Sequence, residues 1–454
     1  MMRKIITVIM PILLVCSLSV TLTACQNGSD GSSPTAKSSA VSAAPTDGTG
    51  ERVSPTDAEH TAGTTAGTTA GTETAASAAG MDTKAPVPSA SVGRTTTKAT
   101  AAAVRTTAQT ESAGKNRIDF TDKSPVNLYG RILWSGRAYA SVPGFSWTNS
   151  GFEVTFEGDR LTAEFGSGQG NQIWNITVDG DRPKLICVSG TGEVTLAQDL
   201  GRGIHTVRME KSSEGYTVQS IISLSTSANG RFYTPPKKPK RRILFIGDSI
   251  TAGIGTVNET VGGNTCLQDG LKTYEALLST AFSAESQVLA LSGQAVCKRL
   301  SENGKTEPGI MREVFTHDNY WINRTAEYDF SWVPDVVVIN LGTNDDAARV
   351  SESDFLAGVR EYVRLVRTHY PKTKIVWAYG IMNYRFRDAL EVFIPGLSSE
   401  GIGDVYFVPL KYQGTYGGTG YENHPGVKGH QMMATEIAPV IEEITGWRCG
   451  SFYG

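Results

Sequence analysis

The hydrophobic period of the chain changes once, at a basic, proline-rich stretch, and that change separates two folds. From about Ile118 to Arg231, apolar and polar residues alternate: Phe152, Val154 and Phe156, then Leu161, Ala163 and Phe165, then Trp174, Ile176 and Val178. A period of two puts successive side chains on opposite faces of a strand, so each segment reads as a strand with one buried face. Asp179-Gly180 supplies a hairpin turn, and His205, Val207 and Met209 continue the pattern. Short strands with frequent glycine and no amphipathic helix predict a β-sandwich, with a jelly roll as the expected form. Residues 233–242 carry Pro235, Pro236 and Pro239. Proline gives a sheet no donor, so this stretch is an extended boundary, and its basic run is a solvated linker.

After Arg242 the apolar residues run continuously. Ile243–Ile246, Val288–Leu291, Val336–Ile339, Ile375–Ala378 and Val405–Val408 are five such runs. Continuous runs suit strands buried on both faces. Helical spacing appears between them, around Tyr274, Leu277, Leu278 and Phe282, and again at Phe355, Val359, Val363 and Val366. A final helix is expected from about Val427 to Ile444. Strands alternating with helices predict a parallel sheet covered on both sides, with its chemistry at the carboxyl ends of the strands.

The first quarter of the chain carries an address. Arg3 and Lys4 precede an apolar stretch from Ile5 to about Val20, and Leu22-Thr23-Ala24-Cys25 ends it. Residues 1–25 are therefore expected to be an export signal. The ending resembles the bacterial lipobox, which implies lipidation of Cys25 and anchoring at the outer face of a bacterial membrane. Residues 26–115 are dominated by Thr, Ala, Ser and Gly. Such a segment buries too little apolar surface to offset its ordering entropy, so a disordered stalk is expected. This segment also holds the overall hydrophobic content to 39% and the charged content to 19%. With 42 Lys+Arg against 45 Asp+Glu, the near-neutral balance argues against nucleic acid as a partner. No apolar run after residue 25 approaches the ~20 residues that span a bilayer. Cys187, Cys266, Cys297 and Cys449 show no zinc spacing; Cys266–Cys297 is the first disulfide pair to test, with free thiols the alternative.

Three strand ends and the entry to the last helix carry reactive or small residues. Gly247-Asp248-Ser249 follows the first run, where a strand turns into a helix and the serine N–H lies at a helix N-terminus. Ser292-Gly293 follows the second, and Gly342-Thr343-Asn344-Asp345 the third. Glu422-Asn423-His424-Pro425 precedes the last helix, which returns His424 to the same rim. A serine hydroxyl is a weak nucleophile until an imidazole takes its proton. The tetrahedral oxyanion then needs preorganised donors. Ser249 and His424 are the candidate nucleophile and base, and Ser249 N–H, Gly293 N–H and the Asn344 amide the candidate oxyanion hole.

These four blocks, in this order, resemble the SGNH (GDSL-type) hydrolases over residues 240–450. The β-domain at 116–234 narrows the resemblance to carbohydrate esterase family 2. The resemblance implies a flavodoxin-like α/β/α domain behind a jelly roll, and removal of acetyl groups from acetylated polysaccharide such as xylan. It implies a monomer without cofactor or metal. Most SGNH hydrolases place an Asp three residues before the histidine; here Tyr421 stands there. Glu422 is the candidate third member, and the alternative is a Ser–His dyad whose imidazole is oriented by a backbone carbonyl. Asp248 and Asp345 are expected to support the site by hydrogen bonding and structure. Two rivals remain: another esterase on this scaffold, lipase-like or acting on cell-wall O-acetyl groups, and a non-catalytic glycan-binding lipoprotein. Trp174, Trp332, Trp377 and Tyr379 are expected in the core rather than on a sugar platform.

Overall fold

The computed structural model describes residues 116–453, apart from 122–123, 135–141 and 302. The expected export signal, Cys25 and the expected stalk at 26–115 lie outside the described residues.

The first domain is a sandwich of two six-stranded antiparallel sheets, as expected for a jelly roll. One sheet runs Ile132–Leu133, Gly144–Phe145, Gln219–Thr226, Leu161–Gly168, Gly192–Ala197, with Arg117–Asp119 also paired to Gln219–Thr226. The other runs Arg231–Tyr233, Gly151–Glu157, Ile204–Lys211, Asn171–Val178, Lys184–Ser189, with Val126–Tyr129 on Gly151–Glu157. The alternating residues meet between the sheets: Phe152, Val154, Phe156, Leu161, Phe165 and Trp174 are fully or almost fully buried. Each such side chain contributes roughly 1.5–3 kcal/mol by leaving water.

The second domain holds a five-stranded parallel sheet. Its spatial order is Ala284–Ala290, Arg241–Gly247, Val336–Asn340, Lys374–Tyr379, Val405–Pro409, so the chain's second strand lies outside its first. This is the 2-1-3-4-5 order of doubly wound folds, whose switch point lies between the first and third strands. The continuous apolar runs serve two cores at once. Leu244, Ile246, Val337 and Ile339 pack on one face against Phe355, Val359, Val363 and Val366 of the helix Glu352–His369. Ile243, Phe245, Val336 and Val338 pack on the other, against the helices Tyr274–Ala281 and Val427–Thr445. The helix Glu352–His369 starts where Ser351 Oγ accepts the Asp354 N–H at 3.1 Å, and its first turn carries Glu352 and Asp354.

Two features have no signature in the hydrophobic pattern. A hairpin, Ile254–Val261 with Asn264–Gln268, follows the first strand end and docks Val257, Val261 and Cys266 on Ile173 of the sandwich. The first-face core also contains Leu133, Trp147 and Val218 of the sandwich, so the two domains share apolar packing. Trp174, Trp377 and Tyr379 are buried core residues, and Trp332 is partly buried against the core. The four described cysteines are free thiols; Cys266 packs with Val257 and Val261 of the hairpin, whereas Cys297 borders the core that holds Phe355 and Val359. No helix among the described residues is long and apolar enough to cross a membrane.

Candidate active site

The first strand ends at Gly247, where a Cβ would lie 2.0 Å from Thr251 Oγ1; only glycine fits that turn. Asp248 then caps the short helix Ser249–Ala252, its Oδ1 accepting the Ile250 N–H at 2.9 Å. Ser249 is thereby fixed at the helix start and keeps a small exposed surface, 9%.

His424 reaches Ser249 from the opposite end of the domain. Its Nε2 lies 2.8 Å from Ser249 Oγ, and its Nδ1 lies 2.9 Å from the main-chain carbonyl of Glu422. A carbonyl only accepts, so Nδ1 carries the hydrogen and Nε2 presents its lone pair to the Ser249 O–H. That tautomer is the one a general base requires. The loop is braced: Gly420 N–H donates to His424 O at 2.7 Å, Gly426 N–H to Gly418 O at 2.7 Å, and Gln413 Nε2 to Asn423 O at 2.6 Å. Gly255 lies so close beneath that a Cβ there would sit 2.8 Å from His424 Cβ. Glu422 and Asn423 adopt left-handed backbone, φ 52° and 57°, which turns the Glu422 carbonyl towards the ring.

The Glu422 carboxylate is therefore not the group at Nδ1; its peptide oxygen is. Burial pushes the His424 imidazole below its ordinary 6.5, while the Glu422 carbonyl and the Glu422 charge oppose that shift. Glu422→Gln leaves the carbonyl in place. Its activity at pH 7 is expected within about threefold of the parent, whereas neutralising an acid that does orient the imidazole costs roughly 10⁴ in kcat. Steady-state assays of the two proteins side by side check this.

The remaining strand ends converge through hydrogen bonds. Asn344 stands in the helix Thr343–Ala347, entered through Gly342 at φ 125°. Its Nδ2 donates to Gln294 O at 2.8 Å and to Asp248 Oδ2 at 3.2 Å, joining the ends of the first, second and third strands. Asp345 accepts backbone N–H groups of Val296 and Cys297, both at 2.8 Å, and of Lys298 at 3.3 Å. It thus pins the segment after Gly293 to the Asn344 helix. Gly293 itself has φ 75°. Burial pushes the Asp248 carboxyl up to about 7, and the nearby Asp345 charge adds to the rise. His430 is buried, not a second base: its Nδ1 accepts the Tyr274 N–H at 3.2 Å and burial holds its imidazole down to about 3.

Among the described residues no three His, Cys, Asp or Glu side chains are grouped to hold a metal ion. Gly255 and Gln413, which brace the histidine, and Glu214 and Tyr216 of the sandwich, which touch the Gly293 segment, join the site only in the folded chain. None of these carries a local motif.

A parallel sheet in this order with a Ser–His pair at its rim is the arrangement expected of a GDSL-type hydrolase, and residues 245–432 match the GDSL-like Lipase/Acylhydrolase family. Residues 129–236 match the carbohydrate esterase 2 N-terminal family, so the two matched segments stand in the domain order of a carbohydrate esterase of family 2. It is 28% identical over 332 residues to the cellulase/esterase CelE of Acetivibrio thermocellus, a match that covers 70% of this chain and 40% of CelE. It is 26% identical over 311 residues to an acetylxylan esterase / glucomannan deacetylase of Cellvibrio japonicus, covering 67% and 85% of the two chains. A family two carbohydrate esterase from Clostridium thermocellum, solved in complex with cellohexaose, superposes with a TM-score of 0.63 at 26% identity, covering 71% of this chain and 99% of that one.

Proposed function

We propose that the protein is a carbohydrate O-acetyl esterase, of the acetylxylan esterase type, working through a Ser249–His424 dyad. The observation that carries this is the 2.8 Å contact of Ser249 Oγ with a His424 ring whose other nitrogen is held by a carbonyl. The similarity to an acetylxylan esterase / glucomannan deacetylase supports the substrate class.

In this reading Ser249 Oγ attacks the acetyl carbonyl carbon while His424 Nε2 takes its proton. The oxyanion that forms is held by the N–H groups of Ser249 and Gly293 and by Asn344 Nδ2. Asn344 frees its hydrogen from the longer of its two contacts, the 3.2 Å one to Asp248. As the tetrahedral intermediate collapses, His424 gives its proton to the departing sugar oxygen. Water then attacks the acetyl-enzyme by the same route, releasing acetate and restoring Ser249.

The expected export signal ending at Cys25 supports a lipid-anchored enzyme at the outer face of a bacterial membrane. The test is acetate release from acetylated xylan, glucomannan and peptidoglycan, beside short and long acyl esters. Release from the plant-type polymers is expected. Preference for peptidoglycan or long acyl chains selects the rival esterases, and glycan retention without acetate selects a binding protein.

A further inference from the structure

The sandwich reaches into the hydrolase site through one loop. Residues 212–218 connect its strands Ile204–Lys211 and Gln219–Thr226. At their centre, Glu214 Oε2 accepts the Ser292 N–H at 2.6 Å, and Tyr216 O–H donates to the Ser292 carbonyl at 2.8 Å. Both backbone polar groups of the residue before Gly293 are thus held by side chains of the other domain. Arg299 completes the set: its Nη2 donates to the Tyr216 oxygen at 2.7 Å, which leaves the Tyr216 hydrogen for Ser292.

The Ser292 carbonyl and the Gly293 N–H belong to one planar peptide unit. Whatever fixes the direction of that carbonyl fixes the direction of that N–H, which points the opposite way. Glycine at φ 75° has a shallow preference for this conformation, so an external hold is needed to keep the plane from rotating. Donation by Tyr216 to the carbonyl also polarises the peptide and strengthens its N–H as a donor.

The loop that carries these groups is anchored. Lys211, fully buried, donates from Nζ to Ser213 O at 2.9 Å and to Glu214 O at 3.0 Å. Gly215 O accepts from Asn319 Nδ2 at 2.7 Å. A Cβ at Gly215 would lie 2.8 Å from the Trp147 ring and 3.1 Å from Leu291, the residue at the end of the second strand. The loop therefore sits in contact with the strand end it serves.

We propose that Tyr216, supported by Glu214, is a positioning residue that aims the Gly293 N–H at the oxyanion. The sandwich is then part of the catalytic apparatus as well as an appended domain. This rests on the reading of Gly293 as an oxyanion donor. Losing one such donor entirely costs about 10²–10³ in kcat; losing its aim costs part of that.

The test uses the whole protein and 4-nitrophenyl acetate, comparing the parent with Tyr216→Phe, Glu214→Ala, Glu214→Gln and Ser249→Ala, with a melting temperature for each. Tyr216→Phe is expected to lower kcat about 10- to 100-fold. KM should stay within about twofold and the protein should remain folded, as expected for an interaction made in the transition state. Glu214→Ala is expected to lower kcat, and Glu214→Gln, whose amide oxygen still accepts from Ser292, to restore most of it. Parental kcat in Tyr216→Phe overturns the proposal. So does a rise in KM at unchanged kcat, or equal impairment of Glu214→Gln and Glu214→Ala. If Ser249→Ala is inactive while Tyr216→Phe is normal, only this inference fails; if Ser249→Ala keeps its activity, the dyad reading beneath it fails.

Discussion

Ser249→Ala is expected to lower kcat for acetyl-ester hydrolysis by roughly 10⁴–10⁶ while leaving the fold intact. In the proposed mechanism, without Oγ there is no atom to form the acetyl-enzyme, and the oxyanion donors and substrate contacts supply only what catalysis remains. The change removes one hydroxyl whose bond goes to His424 at 2.8 Å, at a position that keeps 9% of its surface exposed. No buried group other than the imidazole loses a partner, so stability should move by less than about 1 kcal/mol. Acetate release and thermal melting, measured on the same preparation, check both halves. A loss of activity that came with unfolding would implicate packing and not the nucleophile.

His424→Ala is expected to cost about as much, because the proposed nucleophile and base act as a unit. It also removes a pH dependence. The charged imidazolium is disfavoured by burial, so the His424 pKa lies below 6.5 in the folded enzyme. The free base is the active form; kcat/KM should therefore rise with pH along a limb whose midpoint is below 6.5, then level off. In His424→Ala the residual rate should lose that limb. A profile from pH 4 to 8, with enzyme returned to pH 7 afterwards to confirm that it survived, measures the midpoint. A limb centred above 6.5 that His424→Ala abolishes would mean that a carboxylate, not the carbonyl and the surrounding burial, governs the ring; one that survives in His424→Ala would belong to Asp248, which burial pushes up to about 7.

The parts of the fold most legible in the sequence are those in which burial alone sets the pattern. Ile243–Ile246 and Val336–Ile339 read as central strands because both of their faces are covered, and the two cores divide those residues alternately. The sandwich strands read from their alternation because one face meets the other sheet. The hairpin Ile254–Gln268 did not read, because its few apolar residues gain their cover from the sandwich and not from their own period.

The site divides the same way. Ser249, Gly293, Asn344 and His424 each sit at a strand end or helix start, where the local sequence marks the turn. The partner of His424 Nδ1 left no such mark. A search for an orienting acid looks for a side chain, and the group in place is a peptide oxygen that every residue possesses. Its only trace is the left-handed pair Glu422 and Asn423, of which asparagine is the residue type that favours that region. The hold on Ser292 joins residues 76 and 78 positions apart, and no local pattern encodes a contact of that range.

The central claim is that the hydroxyl at residue 249 is made nucleophilic by the imidazole at residue 424. A fluorophosphonate ester tests it directly, since it phosphonylates a serine only where a base has activated it. Intact-mass measurement should show one adduct per chain, peptide mapping should place it on Ser249, and His424→Ala should abolish it. An adduct on another serine, or an equal rate of labelling in His424→Ala, would contradict the account.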